Sequence, residues 1–105
     1  MTVEELFEVI EARANACPHD SWTAKLLSKG PEKCAEKFGE EAVEVIIEAA
    51  KENKPGLIKE SADVLFHLCV LLKSHDINLS DVMDELASRQ SQSGLAEKAS
   101  RPRQD

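Results

Sequence analysis

The sequence predicts an all-α protein, a helical bundle of about four to five helices completed by dimerisation. Three observations lead there. With four Gly, four Pro and no Tyr among 105 residues, and with Ala, Leu, Glu and Lys abundant, the composition favours helix. Apolar residues recur three and four apart through each long segment, and the breaks between segments fall at proline or glycine. The run Val64 to Leu72 is apolar around its whole circumference, which places it at the centre of a bundle. A chain of this length buries only a modest core, so a second subunit is expected to cover such a helix.

Residues 3–16 carry Val3, Leu6, Phe7, Val9, Ile10 and Ala14 at helical spacing, with Thr2 as N-cap and Glu4 and Glu5 in the first turn. The break at Cys17-Pro18-His19-Asp20 follows from proline's restriction of the residue before it. Ser21 is placed to cap a short helix that turns Trp22, Leu26 and Leu27 inward, with Gly30 closing it. Pro31 suits the first turn of the next helix, which is expected to run to about Asn53. At ~100° per residue, Phe38, Ala42, Val45, Ile46 and Ala49 fill one face of it, and Val43, Ile47 and Ala50 widen the apolar arc. Such a wide arc predicts packing on two sides. Asn53-Lys54-Pro55-Gly56 reads as a turn, followed by helix from about Leu57 to Ser74 and a loop from His75 to Leu79. Ser80 is then expected to cap a last helix, with Asp81 and Asp84 in its first turn and Val82, Met83 and Leu86 inward. These elements make one domain over residues 1–90. Residues 91–105 are polar and aperiodic, and read as a disordered tail.

Two acidic signatures interrupt the apolar pattern: Glu40-Glu41-x-x-Glu44 and Glu60-x-x-Asp63. Residues three or four apart share a helix face, so each signature projects its carboxylates together. Folding the two helices back on each other would converge four or five negative charges. That arrangement repels itself unless a cation neutralises it. With oxygen donors only, Mg²⁺ or its substitute Mn²⁺ is favoured over zinc or iron. His67 continues the Glu60–Asp63 stripe, but reads best as a core histidine rather than a ligand or base. Lys25, Lys29, Lys33 and Lys37 recur every four residues just before the acidic helix. Surface lysines usually need no further explanation, yet a metal-bound polyphosphate requires both lysine cations and oxygen ligands.

The net charge of −7 argues against nucleic-acid binding, and no apolar run is long enough to span a membrane. Three cysteines, Cys17, Cys34 and Cys69, show no zinc or CxxC spacing, and without a signal sequence they suggest a reducing cytoplasm. Cys34 and Cys69 sit among apolar residues and read as small core side chains.

Three motifs, SWTAKLLSKG at 21–30, KCAEKFGEEAVEVIIEA at 33–49 and ESADVLFHLCVLL at 60–72, closely resemble the phosphoribosyl-ATP pyrophosphohydrolase family, part of the all-α MazG-like superfamily. The resemblance covers about residues 3–90. Many members carry tyrosine where this chain has Trp22, a departure that keeps an aromatic ring. The resemblance implies Mg²⁺-dependent hydrolysis of phosphoribosyl-ATP to phosphoribosyl-AMP and pyrophosphate, the second step of histidine biosynthesis. It implies Glu41, Glu44, Glu60 and Asp63 as metal ligands, Glu40 as a further ligand or base, and Ser21, Lys25 and Lys29 as contacts to phosphate or ribose-phosphate, with Lys37 a further candidate. The partner so implied is a small nucleotide, bound by a homodimer or higher homo-oligomer. Fused forms carry a cyclohydrolase with zinc-binding cysteines and about another 100 residues. Neither occurs in this sequence, so a stand-alone hydrolase is expected. Two rivals remain open at this stage: a housekeeping hydrolase of dCTP or non-standard nucleotides, and a non-enzymatic helical dimer that binds divalent cations.

Overall fold

The computed structural model describes residues 1–90, and within them the chain is helical throughout, without strands. In order, the helices are α1 (Val3–Arg13), α2 (Trp22–Ser28), α3 (Pro31–Ala50), α4 (Lys54–Ser74) and α5 (Leu79–Arg89). The predicted tail, residues 91–105, lies outside the described residues. Helices α3 and α4 fold back on each other as a hairpin, and α1 and α2 pack against α4. The all-α bundle is as the sequence predicts.

Local chemistry accounts for the helix starts. Thr2 and Glu5 form a reciprocal capping box: the Thr2 hydroxyl accepts from the Glu5 amide at 3.1 Å, and the Glu5 carboxylate accepts from the Thr2 amide at 2.9 Å. Helix α1 then turns Phe7 and Ile10, three apart, into the core. It stops at Arg13, three residues short of the predicted end, because the Pro18 break is preceded by its own turns. The Cys17 carbonyl accepts from the amides of Asp20 and Ser21. Ser21 caps α2 through the Ala24 amide at 3.1 Å. Gly30, at φ 93°, joins α2 to α3 in a backbone region that side chains rarely adopt, and Pro31 follows in the first turn.

The end of α3 differs from expectation, while α4 stops at Ser74 as expected. Both α3 and α4 finish in Schellman motifs whose left-handed residue is not glycine: Glu52 at φ 57° and Asp76 at φ 56°. After α3, the Asn53 amide donates to the Glu48 carbonyl and the Glu52 amide to Ala49. After α4, Ile77 donates to Leu72 and Asp76 to Lys73. Helix α3 therefore ends at Ala50 instead of Asn53. Asn53 becomes the N-cap of α4, its side-chain oxygen accepting from the Gly56 amide at 3.2 Å. Pro55 and Gly56, expected to form the turn, lie in the first turn of α4, where proline's missing N–H costs nothing. The Asn53 side-chain amide also donates to the Glu48 carboxylate at 2.7 Å. A side chain at Gly56 would collide with these same two groups.

The core is small. Phe7, Ile10, Leu26, Cys34, Cys69, Val70 and Leu79 are buried, with Val3, Leu6, Leu27, Phe66, Leu71 and Leu72 packed around them. Each large side chain so buried contributes about 1.5–3 kcal/mol. Cys34 and Cys69 are core thiols, as expected, and burial pushes both thiols up from their ordinary value. Three inward placements fail. Trp22 is 51% exposed, and Thr23, Ala24 and Leu26 form the buried face of α2 in its place. Helix α5 starts at Leu79, capped at the Asn78 position, so Ser80 lies inside it. Leu79 takes the buried position assigned to the loop, and Met83 and Leu86 stay exposed. On the hairpin, Val43, Ile46, Ile47, Ile58 and Leu65 are also exposed in the single chain.

Replacing Asn53 with Ala removes the cap of α4 and the tether to Glu48 together. We expect a loss of about 1 kcal/mol in chemical denaturation, with helical content retained. An unchanged midpoint would mean that the cap does not hold the hairpin.

Candidate active site

The hairpin carries both acidic signatures, Glu40, Glu41 and Glu44 on α3 and Glu60 and Asp63 on α4. Its turn is short, so the two signatures meet across the helix–helix interface. One carboxylate oxygen each from Glu41, Glu60 and Asp63 lies within 4.8 Å of the others, and all three residues are half-buried. The sequence-predicted convergence is therefore present for three of the carboxylates.

Like charges at this spacing leave a signature in proton affinity. The Glu60 carboxyl is pushed above its ordinary value, first by a hydrogen bond with the Glu41 carboxyl, then by desolvation and the negative charges of Glu41 and Asp63, with Lys59 opposing. A proton on Glu60 relieves this repulsion when no cation is present. A divalent cation meets the same need. Oxygens about 2.1 Å from a bound Mg²⁺ stand ~3–4 Å apart, which small side-chain movements of this trio reach. The donor set is hard and anionic, which fits Mg²⁺ or Mn²⁺.

The other predicted residues fall into separate places. Glu44 is exposed and stands outside the trio. Glu40 is exposed and pairs with Lys37 at 3.3 Å. Glu48 is held at the foot of the hairpin by the Asn53 side-chain amide and by Lys51 at 3.6 Å. His67 is buried, with its ring 5.2 Å from that of Phe66 in an edge arrangement. Burial lowers its proton affinity, and Asp63 and Glu40 raise it against Lys37. A buried imidazole kept neutral in this way agrees with the core reading.

Ser21, Lys25 and Lys29 meet at α2. The Ser21 hydroxyl oxygen is engaged as the helix cap. The Lys25 and Lys29 ammonium groups stand 6.0 and 5.9 Å from the centroid of the Trp22 ring. These four residues line a groove of about 540 Å³ with His19 and Ser28. The groove shares no lining residue with the carboxylate trio. The link between them is Phe66, which lines an adjoining groove with Ser21 and Trp22 and lies three residues after Asp63 on α4.

The all-α hairpin fits the resembled family, and comparison with known proteins bears on the same point. Residues 3–90 match the family described as phosphoribosyl-ATP pyrophosphohydrolase. This chain belongs to that family. It is 60% identical over 101 residues to the phosphoribosyl-ATP pyrophosphatase of Ruegeria pomeroyi, covering 96% of each chain. It is 61% identical over 99 residues to that of Paracoccus denitrificans, covering 94% of this chain and 92% of the relative. The corresponding protein of Jannaschia sp. is 60% identical over 99 residues, covering 94% and 97%. The family match contains both acidic signatures and the whole α2 groove. Among the described residues, no helix is long and apolar enough to cross a membrane.

The repulsion within the trio has a direction in pH. A carboxyl whose proton affinity is raised in the folded state contributes stability below the ordinary glutamate range and loses it as pH rises through the raised value. At pH 7 the metal-free trio is therefore a source of strain. Glu60→Gln should raise the melting temperature of the metal-free protein at pH 7 and abolish the further rise that Mg²⁺ gives the wild type. A wild type whose melting temperature ignores Mg²⁺ would remove the basis for the metal centre.

Proposed function

We infer that this chain hydrolyses phosphoribosyl-ATP to phosphoribosyl-AMP and pyrophosphate, the second step of histidine biosynthesis. The observation that carries the reading is the convergence of Glu41, Glu60 and Asp63 across the α3–α4 hairpin, in a chain that matches the family over residues 3–90. Phosphoryl chemistry of this kind depends on positioning and charge neutralisation more than on covalent catalysis.

Glu41, Glu60 and Asp63 would hold Mg²⁺, or Mn²⁺ in its place, with Glu44 reached by a change of rotamer from its exposed position three residues along α3. A cation held by these residues would supply charge neutralisation for polyphosphate oxygens and activation of water. The chain supplies the rest. The α3–α4 hairpin fixes the carboxylates relative to one another. Lys25 and Lys29 offer cations to a phosphate group in the α2 groove, and the Ser21 hydroxyl can still donate its own hydrogen while its oxygen caps the helix. Lys37, on α3 one turn before its partner Glu40, can exchange that partner for a phosphate oxygen. Glu40, freed by that exchange, would accept a proton from the attacking water or join the ligands.

The exposed apolar residues of the hairpin, among them Ile46 at 66% and Ile58 at 73%, support a homodimer or higher homo-oligomer. The three free thiols suit a reducing cytoplasm. Ile46→Lys should lower the mass seen in sedimentation from an oligomer towards the 11.6 kDa chain. A monomeric wild type would overturn the oligomer.

Pyrophosphate release tests the reaction itself. Rapid Mg²⁺-dependent release is expected from phosphoribosyl-ATP, with ATP and dCTP slow. Asp63→Asn and Glu44→Gln should abolish it while leaving the helical circular-dichroism signal intact. Preference for dCTP would move the chain to a housekeeping role with the same metal site. Folded protein with no release from any of the three would overturn the enzymatic reading.

A further inference from the structure

Trp22 is the chain's single tryptophan, and half of its surface faces solvent. It also forms a wall common to two grooves. One, of about 540 Å³, contains Lys25 and Lys29. The other, of about 520 Å³, contains Arg13, Thr23 and Phe66 and neither lysine. Both volumes fall in the range of about 300–1,000 Å³ usual for small-ligand sites. Phe66 lies one helical turn beyond Asp63, so α4 carries both a wall of the second groove and a member of the carboxylate trio. Asp20 lines both grooves, beside Lys25 and Lys29 in the first and Arg13 in the second.

We propose that Trp22 is the residue that recognises the N1-substituted adenine of the substrate, an inference resting on the phosphoribosyl-ATP reading. The adenine enters the groove between Phe66 and Trp22 and stacks on the indole. Its triphosphate runs towards Glu60 and Asp63, and the phosphoribosyl group on N1 passes Trp22 to place its phosphate at Lys25 and Lys29. Substitution at N1 makes the adenine amidine more basic, so the ring carries positive charge near neutral pH. A cationic ring is attracted to an aromatic face, and indole is the strongest such face among the side chains. Plain ATP has neither the charge nor the second phosphate arm. The wall would therefore discriminate at two points, through the ring and through the lysine groove beyond it.

The single tryptophan makes the test direct. Wild-type protein is titrated with phosphoribosyl-AMP, which carries the same base and is not cleaved, and with AMP and pyrophosphate as controls, following indole fluorescence. Quenching by phosphoribosyl-AMP but by neither control is expected. Steady-state kinetics on phosphoribosyl-ATP should show Trp22→Ala raising KM about 10-fold or more, with kcat changed far less and Trp22→Phe intermediate. Because the side chain is exposed, both variants should keep the wild-type melting temperature. Unchanged KM in Trp22→Ala, or equal quenching by AMP, would overturn the inference while leaving the activity intact. A wild type inactive on phosphoribosyl-ATP would instead overturn the reading beneath it.

Discussion

Three carboxylates held within 4.8 Å of one another on two different helices repel, and the chain has to hold those helices together regardless. Charge repulsion of this kind cannot be relieved by rotating one side chain away without losing the site. It is opposed by the hairpin. Asn53 caps α4 and tethers Glu48 of α3, and Schellman hydrogen bonds close the end of α3. Behind the hairpin, α1 and α2 press Phe7, Ile10 and Leu26 against Cys69 and Val70 of α4. A cation that satisfied the trio would turn the one strained contact of the hairpin into a favourable one. Metal affinity and hairpin stability are thus expressions of the same linkage.

Much of this arrangement was legible in the sequence, and the failures have identifiable physics. Caps at Thr2 and Ser21, core thiols at Cys34 and Cys69, and a buried His67 all follow from residue type and period. The end of α3 did not, because the chain uses Glu52 in the left-handed region where sequence reading looks for glycine. Pro55-Gly56 misled for the complementary reason: the first helical turn tolerates both residues without breaking. Periodicity also assumes that an apolar side chain is needed in the core of its own chain. Trp22, Met83 and Leu86 are apolar at suitable spacing and remain outside. For the site, spacing brought Glu41, Glu60 and Asp63 together correctly, since shared helix faces are a backbone property. Whether Glu44 joins them depends on a side-chain rotamer, about which spacing says nothing.

The exposed apolar residues of the hairpin connect stability to function. Among the described residues, a central cluster of seven buried hydrophobic side chains is modest for a chain that also contains a repelling acid trio. Val43, Ile46, Ile47, Ile58 and Leu65 lie on the same two helices that carry the carboxylates. In the proposed oligomer, burying them would contribute roughly 1.5–3 kcal/mol for each side chain fully covered. That stabilisation would act directly on the hairpin. Assembly and a bound cation would then both stabilise the same hairpin.

The separation of positive and negative charge along the surface has its own reason. Lysines close to glutamates pair with them, as Lys37 does with Glu40 and Lys33 with Glu36. Had Lys25 and Lys29 stood beside Glu41, Glu60 and Asp63, they would have neutralised the trio themselves and competed with any cation there. The fold places the lysines on α2 instead, against an indole ring and in a groove that shares no lining residue with the acids. The two groups of opposite charge thus stay separate. A substrate with phosphates at both ends of an aromatic base, one end carrying metal, has a charge pattern that suits both.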